Sequence, residues 1–357
     1  MTARNPTDDS IEPYLEDLDA RLDPDVEDAL WAQWVRFADG QFTGEVFSPR
    51  RLAAPPPGLD WPAVSVNQTL DDVDAMALQQ LKTCSDDLAA GCGALAAVRC
   101  NYGTGILPSL FGAELFVMPD GTDTLPTTRP LAGGAAAVEA VLDAGVPDVR
   151  AGLGGKVLEM AERFQAIGRR YPNIGRCVHL YHPDVQGPLD VCEMLWGSGV
   201  FLALVDRADL VHALLDFVTE TYIAFMNAWE GLVPPAAGHA VHWHMMHRGR
   251  IMIRDDSAMN ISPDMVDEFA RPYDQKLLET FGGGAVHFCG RGDHYIASYA
   301  GLSGLNAIAM SQPELNDMET IYRNTVDRGV ALLGLSREAA DATLAAGRDL
   351  HGLVHCW

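Results

Sequence analysis

His287 and Cys289 stand one residue apart at the end of the apolar run Ala285-Val286-His287-Phe288-Cys289-Gly290. Alternate side chains of an extended strand share a face, so an imidazole nitrogen and a thiolate from this pair can meet at one metal ion. The pair also has a plainer reading, a buried cysteine beside a hydrogen-bonded histidine, because free cysteine is commonly a core residue. A second thiol shifts that balance. Cys356 follows the last predicted helix, in the stretch from Leu350 to Trp357, where a closing element would return to the same end of the molecule. Two thiolates and one imidazole form a soft set suited to zinc, and three protein ligands leave a position open for a substrate atom. A penultimate residue is also prone to fray, and His351 and His355 compete for the third ligand position.

Weaker candidates surround this set. In His239-Ala240-Val241-His242-Trp243-His244-Met245-Met246-His247, His242 and His244 fall on one strand face and could bind metal together with His247. No His-Glu-x-x-His helix accompanies them, so His242 and His244 are read as lining a substrate pocket beside Trp243. Asn101 and Tyr102 open a glycine-rich turn after a strand, and Tyr181 precedes His182 after another, which makes all three candidate ligand contacts. Asp255 and Asp256 lie between a strand and a capped helix; one of them can support a metal-bound histidine or grip a cationic group, and a solvated loop pair is the other reading. Glu314 is an acidic residue in a first helical turn, where the helix dipole alone accounts for it.

The elements that must position these residues follow from the hydrophobic pattern. Short apolar runs at Ala94 to Val98, Ala113 to Val117, Cys177 to Tyr181, His239 to Met245, Gly284 to Phe288, Asn306 to Met310 and Gly329 to Leu333 are predicted as strands. Helical patterns fall between several of them: Val157 to Arg169, Leu210 to Trp229, Pro263 to Phe281, Glu314 to Arg328 and Arg337 to Ala346. Ser262 before Pro263 and Ser336 before Arg337 are predicted helix caps. Such alternation implies βα units around a parallel sheet, and 357 residues suit one large domain with an appendage. No Gly-x-Gly-x-x-Gly follows an early strand, which favours an α/β (β/α)8 TIM barrel over an open sheet. The predicted boundaries are an acidic arm and helical cap over 1–62 and the barrel over 63–357. Within residues 1–30, Asp8, Asp9, Glu12, Glu16, Asp17, Asp19, Asp23, Asp25, Glu27 and Asp28 face only Arg4 and Arg21 in charge, so the segment reads as a solvated arm. Trp31, Trp34, Val35 and Phe37 then mark an apolar helix face.

Composition excludes several classes. The net charge of −24 repels nucleic acid and anionic lipid surfaces. No apolar run is long enough to span a bilayer, and the acidic start does not fit a secretory signal, so a cytoplasmic location is expected. Seven scattered cysteines do not form a dense disulfide framework.

The stretch Arg254-Asp255-Asp256-Ser257-Ala258-Met259-Asn260-Ile261-Ser262-Pro263, the helix ending near Phe281, His287-Phe288-Cys289-Gly290, and Gln312-Pro313-Glu314-Leu315-Asn316-Asp317-Met318-Glu319 together resemble the uroporphyrinogen decarboxylase superfamily. A looser likeness runs from about Leu70 to the C-terminus. The His-x-Cys pair with a distant cysteine is similar to the zinc-dependent, methylcobamide-using methyltransferases, and more remotely to cobalamin-independent methionine synthase. This resemblance implies a TIM barrel with Zn2+ held by His287, Cys289 and Cys356, and Glu314 as a displaceable fourth ligand. It further implies a small thiol acceptor and a methylated corrinoid donor carried on a small separate protein that docks at the barrel mouth. The decarboxylase branch opens with an arginine-rich Arg-Gln-Ala-Gly-Arg-Tyr segment that has no counterpart here, Arg50-Arg51 being the nearest basic pair. Two alternatives accompany the methyltransferase reading. One is a metal-free lyase in which Asp255 or Asp256 and Tyr102 grip a carboxylated substrate, and the other is a non-catalytic corrinoid- or tetrapyrrole-binding module.

Overall fold

Aliphatic runs separated by capped helices give a mixed α/β fold in the computed structural model, which describes residues 10–357. The strands are β1 Ala97–Val98, β2 Leu115–Phe116, β3 Thr127–Thr128, β4 His179–Leu180, β5 His239–His242, β6 Met245–Arg248, β7 Ile251–Arg254, β8 Gly284–Phe288, β9 Leu305–Met310, β10 Ala331–Leu335 and β11 Val354–Cys356. The last five form one parallel sheet in the order β11-β10-β9-β8-β7. β1 pairs with β4 in parallel, while β2–β3 and β5–β6 are antiparallel pairs. Among the described residues the ladders thus draw one five-stranded sheet and three two-stranded ones.

Strand alternation sorts the large sheet's side chains onto two faces. Ile251, Ile253, Val286, Phe288, Ile308, Met310, Leu332, Leu335 and Val354 join the cluster that contains helical residues such as Leu277, Phe281, Tyr299 and Ile321. Met252, Ala285, Ala307, Ala309, Ala331 and Leu333 point the other way, into a cluster with Trp34, Phe37, Phe47, Val241, Met245 and Met246. The alanines keep this second face shallow, and the β5–β6 hairpin fills the space. The predicted single strand over His239 to Met245 is therefore replaced by a hairpin whose turn, Trp243-His244, lacks the glycine or asparagine that usually announces one.

The predicted helix over Pro263 to Phe281 divides into Pro263–Phe269 and Arg271–Phe281, because Pro272 has no N–H to continue the ladder through Ala270. Both predicted caps form: Ser262 Oγ accepts from Met265 N at 3.3 Å and Ser336 Oγ from Ala339 N at 3.2 Å.

The acidic N-terminal segment is not a solvated arm over its described part. It forms α1 (Glu12–Arg21) and α2 (Pro24–Ala38), which bury Leu15, Leu18, Leu30, Trp34 and Phe37. Burial of that apolar face fixes the helices, and cations from the rest of the chain meet their carboxylates: Arg51 pairs with buried Glu27 at 2.6 Å, and Arg170 and Arg176 reach Glu12 and Asp28. Arg4, Asp8 and Asp9 lie outside the described residues. No single helix among the described residues is long and apolar enough to cross a membrane.

Candidate metal centre

β8 delivers two donors to one place. His287 lies on the shallow, hairpin-facing side of the strand, next to Arg254 on β7 and Ala309 on β9. Cys289 follows the strand end on the same side. The chain then turns sharply at Gly290, whose φ of +75° suits glycine and where a Cβ would meet Met259 Sδ at 2.6 Å. His287 Nε2 and Cys289 Sγ stand 3.3 Å apart. The third donor lies two residues beyond the neighbouring strand β7, with Asp256 Oδ1 3.8 Å from His287 Nε2. Donor atoms of Asp256, His287 and Cys289 all lie within 4.8 Å of one another, the one such group of three among the described residues. Imidazole nitrogen, thiolate sulfur and carboxylate oxygen are all zinc donors, and three of them leave an open position.

Backbone donors and side-chain amides hold the group in place. Asp256 Oδ1 accepts from Cys289 N at 2.6 Å, and the Asp256 N–H itself donates to Asp190 Oδ2 at 3.0 Å. Beyond Cys289, Gly290 N donates to Gln312 Oε1 at 2.6 Å, while Asn316 Oδ1 accepts from Gly292 N at 2.7 Å and Asp293 N at 3.0 Å. Ser311 Oγ lies 3.5 Å from Cys289 Sγ. Asp190, Ser311, Gln312 and Asn316 were not singled out from the sequence. Gln312 and Asn316 lie in a stretch that carries the family resemblance, where only Glu314 has an implied role; for Asp190 and Ser311 the signal is their place at the ends of elements bordering the His-x-Cys strand.

Burial sets the protonation states. It lowers the His287 pKa despite the opposing Asp256 charge, which leaves a neutral imidazole able to ligate. Burial likewise raises the Cys289 thiol; Ser311 works against that rise and Asp256 adds to it. A cation bound here would therefore displace a thiol proton.

Other predicted site residues fall elsewhere. Cys356 does not join the donor group. On β11 it alternates with His355, pairs with Leu335 and packs in the helix-side cluster, with Arg337 and Ser48 as polar neighbours. The residue on the opposite side is His355, enclosed by Trp34, Phe37, Phe47 and Trp357. Neither it nor His351, which pairs with Asp327 and Asp349, approaches the group. Asp255 is fully buried behind the sheet. Its carboxylate accepts from Tyr299 OH, burial together with Asp274 drives its pKa well up, and it is not part of the donor group. Glu314 is exposed on a single 3-10 turn outside the donor group.

The predicted substrate contacts are also dispersed. Tyr102 faces a separate cavity with Leu70, Asp71 and Lys156, and Asn101 is buried with its backbone N–H on Met76 Sδ at 3.3 Å. Tyr181 and His242 are buried neighbours, 5.4 Å between ring centroids. His242 Nδ1 and His247 Nε2 are 2.8 Å apart, and His247 Nδ1 is 2.9 Å from Arg248 O. Since a carbonyl only accepts, His247 donates from Nδ1 and receives from His242, so the two rings form a neutral hydrogen-bonded pair, and neither belongs to the donor group. His244 caps the hairpin turn against Leu95 O at 2.9 Å. A cavity of about 770 Å³ lined by Trp31, His179, Tyr181, His182, Trp229 and His242 does not include the donor group; the donor chemistry, and not the size of a void, identifies the candidate site.

Fold and site together define a mixed α/β chain with a group of three candidate cation ligands at the carboxyl end of a parallel strand. Neither protein-family models nor curated proteins give a match to this chain.

Proposed function

We propose that the chain is a zinc-dependent methyltransferase of the uroporphyrinogen decarboxylase type, moving a methyl group from a methylated corrinoid on a small carrier protein to a thiol acceptor. The observation that carries this reading is the convergence of His287, Cys289 and Asp256 within 4.8 Å at the carboxyl edge of parallel strands, where such folds hold their chemistry. In this reading Asp256 takes the position anticipated for Cys356.

The strands are read as the wall of a (β/α)8 barrel, and contacts at both edges of the large sheet support closure. Phe47 continues β11, with its N–H donating to Val354 O at 2.8 Å and its carbonyl accepting from Cys356 N at 3.0 Å. At the other edge Gly187 N donates to Arg254 O at 2.6 Å, just downstream of β4.

Zinc, when bound, would lower the pKa of an acceptor thiol so that it binds as a thiolate at neutral pH. The chain's own part is to hold and orient. His287 presents a neutral nitrogen, Cys289 gives up its proton on ligation with Ser311 at hand to stabilise the thiolate, and Asp256 supplies a fixed carboxylate oxygen. The reaction forms a sulfur–carbon bond and breaks a cobalt–carbon bond, leaving the electron pair on cobalt and releasing the thiol proton. The lyase alternative draws less support, since the cavity that Tyr102 lines includes neither Asp255 nor Asp256.

Metal analysis with an assay for thiol methylation from methylcobalamin tests the proposal. Wild-type protein should hold stoichiometric zinc and form thioether, and Cys289→Ser should lose both. Metal-free protein with full activity, or zinc-loaded protein that methylates no thiol, overturns it.

A further inference from the structure

We propose that Trp243 is the positioning residue of the metal centre, a strained hairpin tip that holds the His287 imidazole edge-on so that Nε2 faces Cys289 and Asp256. The inference rests on reading those three residues as metal ligands. It starts from the backbone. β5 and β6 are joined by two residues, Trp243 and His244, with φ of +46° and +64°. Positive φ at both centres is the pattern of a type I′ turn, which strongly favours asparagine and glycine. A tryptophan and a histidine held there are unfavourable for L-residues and persist only where the surroundings over-determine them.

Those surroundings are specific. His244 is locked to β1's approach by Leu95 N donating to His244 O at 2.9 Å and by its ring nitrogen beside Leu95 O. The turn thereby delivers the Trp243 indole against two groups. The Arg254 guanidinium carbon lies 4.9 Å from its ring centroid, and the His287 ring meets it at 4.6 Å with planes 75° apart. Arg254 cannot yield, since it is nearly fully buried, ion-paired to Asp184, and donates to Met252 O at 3.1 Å; Arg99 holds the same Asp184 from the other side. The indole is therefore a fixed wall.

A metal-ligating histidine is usually oriented by a hydrogen bond from its second nitrogen. Buried His287 Nδ1 has the Ala309 backbone beside it as a hydrogen-bond partner of poor geometry. The edge-on contact with the Trp243 ring supplies the second constraint on its orientation.

Cobalt(II) titration of the full chain, followed by its absorption bands, separates positioning from mere packing. Trp243→Gly removes the ring and relieves the positive φ; it should fold with wild-type far-UV circular dichroism yet bind cobalt about 10- to 100-fold more weakly, with shifted ligand-field bands. Trp243→Phe, which retains a ring edge, should restore both affinity and spectrum. If the glycine variant does not fold, Trp243→Leu replaces it in the same comparison, because leucine fills space without a ring. Ringless variants that match wild type in affinity and spectrum overturn this inference while leaving the metal centre standing. Wild-type protein that takes up no cobalt or zinc sinks the metal-centre reading, and this inference with it.

Discussion

The Cys289 N–H donates to Asp256 Oδ1 at 2.6 Å, so the carboxylate that completes the donor group is tied to the strand carrying the other two. Register does the rest: Arg254 stands opposite His287 in the β7–β8 ladder, which brings Asp256 level with Cys289. Asp256→Ala should then weaken zinc binding by more than the roughly 10- to 100-fold that a supporting partner contributes. Cys356→Ser should leave zinc affinity unchanged. Calorimetric zinc titration of both variants decides between them, and the opposite ranking would return Cys356 to the site.

Much of this arrangement could be read from the residues, and the misreadings have a physical cause. The His-x-Cys spacing is local, and two-residue alternation along β8 places both side chains on one face without further information. Cys356 needs long-range register. β11 has only three residues, and β10 carries an irregularity between Leu332 and Leu335, with Gly334 at a φ of +79°. Nothing in Val354-His355-Cys356 says which of its alternating residues faces the hairpin. Asp255 and Asp256 pose the same problem, since adjacent residues leave a strand end in opposite directions and only the packing of Tyr299 and Asp274 shows which is buried. The hairpin was hidden because its turn residues are tryptophan and histidine, whose positive φ is imposed by tertiary contacts.

Asn316 is the clamp of the loop that follows Cys289. Its carbonyl oxygen accepts from Gly292 N and Asp293 N, and its amide donates to Gly290 O at 3.0 Å and Gln312 O at 2.7 Å. Asn316→Ala leaves Gly292 N, Asp293 N and Gly290 O without those partners, Gln312 O still accepting from Leu315 N, at a cost of about 1–3 kcal/mol. The loss should be local. Amide exchange at Gly292 and Asp293 should quicken while exchange in β9 and β10 stays slow; unaltered exchange at those two amides would show that the loop is held by something else.

His355 predicts an acid sensitivity. Burial lowers its pKa to about 3, and its Nδ1 accepts from Gly334 N at 3.2 Å. The ordinary value in an unfolded chain is about 6.5, so between pH about 6.5 and about 3 the unfolded state binds a proton that the folded state refuses. The stabilisation is complete above about 6.5 and is lost as the pH falls, by about 1.4 kcal/mol per pH unit for this one group. His355→Gln retains an acceptor for Gly334 N but cannot take up that proton. Urea unfolding at pH 7 and pH 5 should give a smaller drop in stability for the variant than for wild type, and equal drops would mean that His355 is protonated in the fold.

Ala307 tests how the fold and the candidate site depend on one another. It lies opposite Ala285 and Ala331 in the ladders, in the cluster that receives Val241, Met245 and Met246 from the hairpin. Small strand residues on this face of the sheet leave its volume to the hairpin. Ala307→Leu therefore overfills the contact, with an expected cost of about 1–3 kcal/mol, whereas Ile308→Leu on the helix side conserves volume and should cost less than about 1.5 kcal/mol. The effect should also reach the donor group, because a hairpin lifted by an added side chain carries the Trp243 indole away from its 4.6 Å contact with His287. Ala307→Leu should consequently lose both stability in urea and affinity for cobalt, while Ile308→Leu keeps its cobalt affinity. A variant at Ala307 that is as stable as wild type would show that the hairpin does not rest on this face.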